Sequence, residues 1–257
     1  GADTLRDTID AANYKDYVLP IMFVKYLSDS YEDALDELKK EYSGIRLERQ
    51  KRYLPFTIAE ECSFQSLYDQ RYSDKIGQLI NAAMRKIEAD NQQLAGVLNT
   101  VDYNSENALG TLDHKKAILR DLLEAFEPLS LRPSDIEVKP GQVPADVIGD
   151  AYEYMIGQFA SMAGKKAGSF YTPAAVSEIM ARIVNVQPGE RVYDPTCGSG
   201  SLLIKAAKKQ NSKEVSIYGQ EVNGSSVAMA KMNMYIHEIR DAKIGWGDTL
   251  ANPVFLD

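Results

Sequence analysis

The chain has 257 residues, 44% of them hydrophobic and 26% charged, which is enough apolar material for packed domains and excludes a disordered tail. Its net charge of −8 argues against wrapping a nucleic-acid duplex unaided, because such affinity rests on cationic contacts to phosphate. No long apolar run marks a membrane span and no signal-peptide pattern opens the chain; the two cysteines, Cys62 and Cys197, lie far apart and read as reduced thiols of a cytoplasmic protein, outside any metal-binding spacing.

Residues 3–40 read as helix. Leu5, Ile9 and Ala12, then Val18, Ile21, Met22, Leu27, Leu35 and Leu38 recur at helical spacing, with a break or kink expected near Pro20. Tyr14, Tyr17, Phe23, Tyr26 and Tyr31 add aromatic surface for a core or a partner. Residues 43–64 are irregular and read as loop. Further helices are expected over 73–88, where Ile76, Leu79, Ile80, Ala83 and Ile87 share a face, and over 115–126. Residues 128–144, with Pro128, Pro133, Pro140, Gly141 and Pro144, read as loop and linker. The expected division is an all-α domain over 1–143 and a second domain over 144–257. Charge divides similarly: residues 1–160 hold 18 Lys and Arg against 28 Asp and Glu, a net of −10, and residues 161–257 hold 11 against 9, a net of +2.

A helix is expected over 145–162, with Val147, Ile148, Ala151, Tyr154, Met155 and Phe159 on overlapping faces. Lys165 and Lys166 follow in a glycine-flanked loop, where they either touch phosphate or are simply solvated. Then Arg191-Val192-Tyr193 reads as strand, Asp194-Pro195-Thr196-Cys197-Gly198-Ser199-Gly200-Ser201 as a glycine loop, and Leu202, Leu203, Ile204, Ala206 and Ala207 as the apolar face of a helix. Strand, glycine loop and helix N-terminus together hold a small charged ligand in α/β proteins. The spacing fits neither a dinucleotide fingerprint nor a P-loop, and Asp194 disfavours pyrophosphate by charge. A ligand with cationic groups and a ribose, such as S-adenosylmethionine, suits it better. A second strand over 215–221 ends in Glu221, a helix follows over 225–239, and a third strand over 242–248 ends in Asp248. Glu221 stands where an acid accepts hydrogen bonds from ribose hydroxyls, and Asp248 where one can bind the cofactor's adenine amine. Only three strands are readable before Asp257, fewer than a complete doubly wound sheet needs, so the chain is expected to be part of a longer one. His114 and His237 lack companion ligands and read as surface or helix positions.

The sequence resembles the modification (HsdM) subunits of type I restriction-modification systems, which are DNA adenine-N6 methyltransferases. The likeness is carried by Gly168-Ser169-Phe170-Tyr171-Thr172-Pro173 and the Asp194–Gly200 loop, and extends through Leu131-Arg132-Pro133-Ser134-Asp135, Gly149-Asp150-Ala151-Tyr152-Glu153-Tyr154 and Gly247-Asp248-Thr249-Leu250. It implies an α/β fold, with an N-terminal all-α domain followed by the first half of a doubly wound, Rossmann-like class I methyltransferase sheet. Phe170, Tyr171, Thr172 and Pro173 would lie beside the methionine part of S-adenosylmethionine, together with Asp194, Cys197, Gly198, Ser199 and Gly200. Glu221 would take the ribose and Asp248 the adenine. Implied partners are DNA, a specificity subunit, a second modification subunit and a restriction subunit. The Asn/Asp-Pro-Pro-Tyr/Phe motif that holds the target amine is not in the chain and is expected beyond Asp257, so no catalytic residue is assigned; Asn252-Pro253-Val254-Phe255 reads as a loop. Another S-adenosylmethionine-dependent enzyme acting on RNA, or a non-catalytic assembly module, stays open from the residues alone.

Overall fold

A computed structural model describes residues 11–208 and 214–255, and divides the chain into two compact units, Gly1–Pro144 and Ala145–Asp257. The expected helix start at Leu5 and Ile9 lies outside the described residues.

The first unit is helical. α1 (Ala11–Glu41) runs continuously through Pro20, where a break was expected. The proline deletes one N–H from the helix, and in the same turn the Tyr103 hydroxyl donates to the Tyr17 carbonyl at 2.6 Å. Burial on several sides holds the helix in place: Tyr14, Leu19, Ile21, Phe23, Val24 and Leu27 are all buried. A second correction concerns residues 43–64, which contain α2 (Gly44–Lys51). α3 (Phe64–Asp69) starts at Ser63, whose hydroxyl accepts from Ser66 N–H. α4 (Ile76–Asp90) buries Ile76, Ile80, Ala83 and Ile87 of its expected face, with Leu79 half-buried, and α6 (Leu112–Phe126), with the short α5 (Glu106–Leu109) before it, buries Ile118, Leu119, Leu122, Leu123 and Phe126. Residues 128–143 form no long helix, yet they are not a free tether. Leu131 N–H donates to Asp29 at 2.8 Å, Arg132 pairs with Asp36 at 2.8 Å, and Ser134 bonds Asp33, all on α1.

The second unit is α/β. α7 (Pro144–Ala163) leads through a 3-10 turn, Gly164–Ser169, to α8 (Ala174–Val184); α8 was not anticipated from the sequence. β1 (Arg191–Asp194), α9 (Ser201–Lys208), β2 (Ser216–Glu221), α10 (Gly224–Ile236) and β3 (Lys243–Trp246) then alternate. The strands form a parallel sheet in the order β1-β2-β3, with Asp194 opposite Gly219 and Glu221 opposite Trp246. Leu203, Ile204 and Ala207 of α9, Ile217 of β2, and Ala230 and Met234 of α10 share one apolar core. Parallel register brings the C-terminal ends of the strands, and the loops after them, to one edge.

Candidate cofactor site

The glycine loop after β1 is fixed by conformation and by crowding. Gly198 (φ +53°) and Gly200 (φ +77°) occupy the left-handed region that side chains disfavour. A Cβ on Gly198 would lie 3.1 Å from the Phe170 carbonyl oxygen, and one on Gly200 3.0 Å from Met234 Cε. Successive loop amides point at three different anchors. Cys197 N–H donates to the Gln220 carbonyl, Gly198 N–H to the Glu221 carboxylate and Ser199 N–H to the Phe170 carbonyl, each at 3.0 Å. Behind the loop, buried Asn233 of α10 donates from Nδ2 to the Ser199 carbonyl at 3.1 Å.

Asp194 and Glu221 end β1 and β2 and Asp248 follows β3, the three acids being enclosed to different degrees. Glu221 is buried; its Oε2 accepts from Gly198 N–H at 3.0 Å and its Oε1 from Asn223 N–H at 2.8 Å. Asp194 is half-buried and accepts from Thr196 N–H at 3.0 Å; burial raises its pKa above the ordinary carboxylate range, against the pull of that bond and with the help of Glu221. Asp248 is exposed, and its Oδ1 accepts from Leu250 N–H at 2.9 Å and Ala251 N–H at 3.3 Å. The neighbouring Thr249 hydroxyl donates to the Pro195 carbonyl at 2.5 Å, tying the turn after β3 to the corner after β1.

Cys197 is buried in this acidic setting. Burial, then the charges of Asp194 and Glu221, push its thiol up to about 12. A neutral thiol is a poor nucleophile, and Cys197 serves as packing: a Cβ on Gly219 would stand 3.0 Å from its Sγ.

Phe170 is buried, Tyr171 and Thr172 are half-buried, and Pro173 precedes α8. Tyr171 and Thr172 line a cleft of about 400 Å³ with Glu153, Gly157, Ser201 and Lys205; Asp194, Glu221 and Asp248 lie outside its wall. Lys205 reaches Glu153 across it at 3.3 Å. Direct hydrogen bonds thus join Phe170, Ser199, Gly198 and Glu221, the Thr249 bond brings in the Asp248 turn, and Tyr171 and Thr172 open onto a separate cleft.

Of the two positions expected for His237, surface or helix, the structure shows the second. His237 is buried at the end of α10, 3.9 Å from the Glu153 carboxylate, with its ring against Gly149 of α7. Burial keeps it neutral, lowering its pKa to about 3. Three further residues of the site went unassigned in the sequence. Asn223 carried a readable signal, a polar cap between strand and helix, and its Oδ1 accepts from Ser226 N–H at 3.1 Å. Gln220 and Asn233 carried none, since a lone amide in a strand or helix reads as surface; both are fully buried. Among the described residues no cluster of His, Cys, Asp and Glu is placed to hold a metal, and no helix is long and apolar enough to cross a membrane.

Comparison with known proteins agrees over both units. Residues 1–126 match the family HsdM N-terminal domain, and residues 143–257 match the family N-6 DNA Methylase. The type I restriction enzyme MpnII methylase subunit of Mycoplasma pneumoniae is 32% identical over 93% of this chain and 49% of its own length. The MjaVIII methylase subunit of Methanocaldococcus jannaschii is 31% identical over 99% of this chain and 43% of its own. The chain therefore spans about half the length of these relatives. The crystal structure of a type I restriction-modification system methyltransferase subunit from Streptococcus thermophilus superposes with a TM-score of 0.79 at 28% identity, over 100% of this chain and 58% of that one. The chain belongs to the family of methylase (modification) subunits of type I restriction-modification systems.

Proposed function

We propose that residues 144–257 bind S-adenosylmethionine for methylation of adenine N6 in DNA, and that residues 1–143 serve assembly with a specificity subunit, a second modification subunit, DNA and, where one exists, a restriction subunit. The observation that carries the cofactor reading is the double hold on the glycine loop, by Phe170 from the 170–173 segment and by buried Glu221 from β2. The donor set fits the ligand. Glu221 offers a carboxylate for ribose hydroxyls, Asp248 an exposed acceptor for the exocyclic amine of the cofactor's adenine, and the side-chain-free Gly198 and Gly200 let a ligand approach the backbone. Phe170, Asp194, Cys197 and Ser199 complete the proposed site as the walls of its methionine end, and Tyr171, Thr172 and Pro173, assigned to that end by resemblance, would close it from the side of the neighbouring cleft that Tyr171 and Thr172 line. When bound, the cofactor's sulfonium supplies the methyl group, and the target base must leave the duplex to reach it.

No residue of this chain is assigned to the target amine, because the sequence contains no Asn/Asp-Pro-Pro-Tyr/Phe and residues 252–255 form a loop. The two free, buried cysteines fit a cytoplasmic setting.

Titration calorimetry tests the cofactor reading. Glu221→Ala should weaken S-adenosylmethionine binding by about 1–3 kcal/mol through loss of charged hydrogen bonds, and Gly198→Ala should weaken it by straining the loop. Unchanged affinity in both variants would remove the assignment. Adenine-N6 specificity is tested separately, by mapping methylated bases in DNA treated with the complete complex.

A further inference from the structure

We propose that Gln220 is the positioning residue that sets the Asp248 turn relative to Glu221, an inference that rests on the reading of these two acids as holders of the cofactor's nucleoside. Gln220 is the penultimate residue of β2 and is fully buried. Its side-chain amide makes four hydrogen bonds, three of them to the segment after β3. Nε2 donates to the Gly247 carbonyl at 3.2 Å and the Asn252 carbonyl at 2.9 Å, while Oε1 accepts from Val254 N–H at 2.9 Å and from the Tyr193 hydroxyl at 3.2 Å. The polarity of the three backbone partners is fixed, which also fixes the orientation of the amide. Two carbonyls demand donors and one N–H demands an acceptor, so only a primary amide satisfies all three.

The bonded positions bracket Asp248. Gly247 stands immediately before it, while Asn252 and Val254 close the turn behind it. Gly247 N–H also donates to the Glu221 carbonyl at 3.0 Å, and the Gln220 carbonyl receives Cys197 N–H at 3.0 Å. One buried residue thus joins the glycine loop, the end of β2 and the turn that presents Asp248, without itself reaching the exposed carboxylate. Removing the amide leaves the Gly247 and Asn252 carbonyls and the Val254 N–H without this partner, in a turn otherwise held from outside by Thr249 and Phe255. A carboxylate does no better, since it sets an acceptor against two carbonyl oxygens.

The test uses the whole chain and two probes that differ at one group, S-adenosylhomocysteine and its purine-riboside counterpart, which lacks only the exocyclic amine. If Asp248 accepts from that amine, the wild-type chain prefers the adenine probe by about tenfold or more. Gln220→Met should erase that preference while the variant stays folded, and Tyr193→Phe, which leaves the three bonds to the turn, should keep it. Glu221→Ala should weaken both probes alike. General destabilisation does not alter a ratio of affinities measured on folded protein. A Gln220→Met variant that keeps the preference overturns the proposal. A wild-type chain that binds neither probe overturns the cofactor reading and the proposal together, and one that binds both probes equally overturns the role of Asp248 and with it the proposal. Should Gln220→Met fail to fold, amide exchange in the wild-type chain decides: Val254 N–H must exchange far more slowly than its loop neighbours, and exchange at the loop rate overturns the clamp.

Discussion

Gly149 and His237 show how a pair invisible in the sequence can govern a packing contact. A Cβ on Gly149 would come within 2.0 Å of His237 Cε1, a rigid ring that cannot turn aside as a long aliphatic chain would. Gly149→Ala is expected to cost about 1–3 kcal/mol through overpacking, measured by urea unfolding. His237→Ala in the same background should restore part of it, and strict additivity of the two changes would show that they do not touch. The same ring predicts a pH dependence. Its pKa falls from 6.5 to about 3 because burial penalises the cation; Lys208 and Lys205 add to the fall and Asp146 opposes it. The unfolded chain therefore binds a proton that the folded chain refuses. Stability from this group is complete above pH 6.5 and is lost as pH falls toward 3, at up to about 1.4 kcal/mol per pH unit. His237→Gln should flatten the unfolding free energy over that window, and an unchanged slope would assign it to other groups. His237 read as a surface or helix position; it stands at the end of α10, and its burial could not be read because it depends on Gly149, a residue on a different helix whose relevant property is the absence of a side chain.

Elements were legible where one face pays for burial and obscure where it does not. α4 and α6 announce themselves through apolar stripes that are buried in the fold, and β1, β2 and β3 through short β-prone runs ending at a glycine or an acid. α2 buries no residue at all, so its sequence carries no stripe to read. α8 carries a stripe, Val176, Ile179, Met180 and Ile183 at helical spacing, but that stripe faces outward. Pro20 does not break the helix: it removes one donor, that to the Asp16 carbonyl, while residues distant in sequence pack against the same stretch, Tyr103 among them through its bond to the Tyr17 carbonyl. Tyr103→Phe should accordingly cost about 1 kcal/mol, the worth of the hydroxyl bond to the Tyr17 carbonyl. The loss would appear as a lower urea midpoint at constant slope, and an unchanged midpoint would mean that the carbonyl needs no such partner. Asn223→Ala removes the side-chain cap of α10, with an expected cost of about 1 kcal/mol in the same assay.

At the scale of the whole chain, charge and apolar surface are distributed in ways that composition could only hint at. The acidic balance of the first unit is partly structural, since Asp29, Asp33 and Asp36 on α1 hold the segment around residues 131–134. Glu221 and the glycine loop were legible as a candidate site because a strand end and a helix start coincide in sequence, whereas the buried supports Gln220 and Asn233 required the packed fold. The second unit leaves an apolar stripe outside: Ile179 and Ile183 of α8 are 58% and 77% exposed, although α9 on the same unit buries Leu203 to 1%. Exposure rather than hydrophobicity should then decide the response to mutation. Ile183→Lys gives up little buried surface and should change the unfolding free energy of this chain by no more than about 0.5 kcal/mol. Leu203→Ala opens a cavity among Ile204, Ile217 and Met234 and should cost about 2–5 kcal/mol. Urea titrations of both variants at one protein concentration read the contrast directly. Equal losses would place Ile183 inside a packed interface, and a loss that shrinks when the titrations are repeated at lower protein concentration would identify that interface as one between copies of the chain.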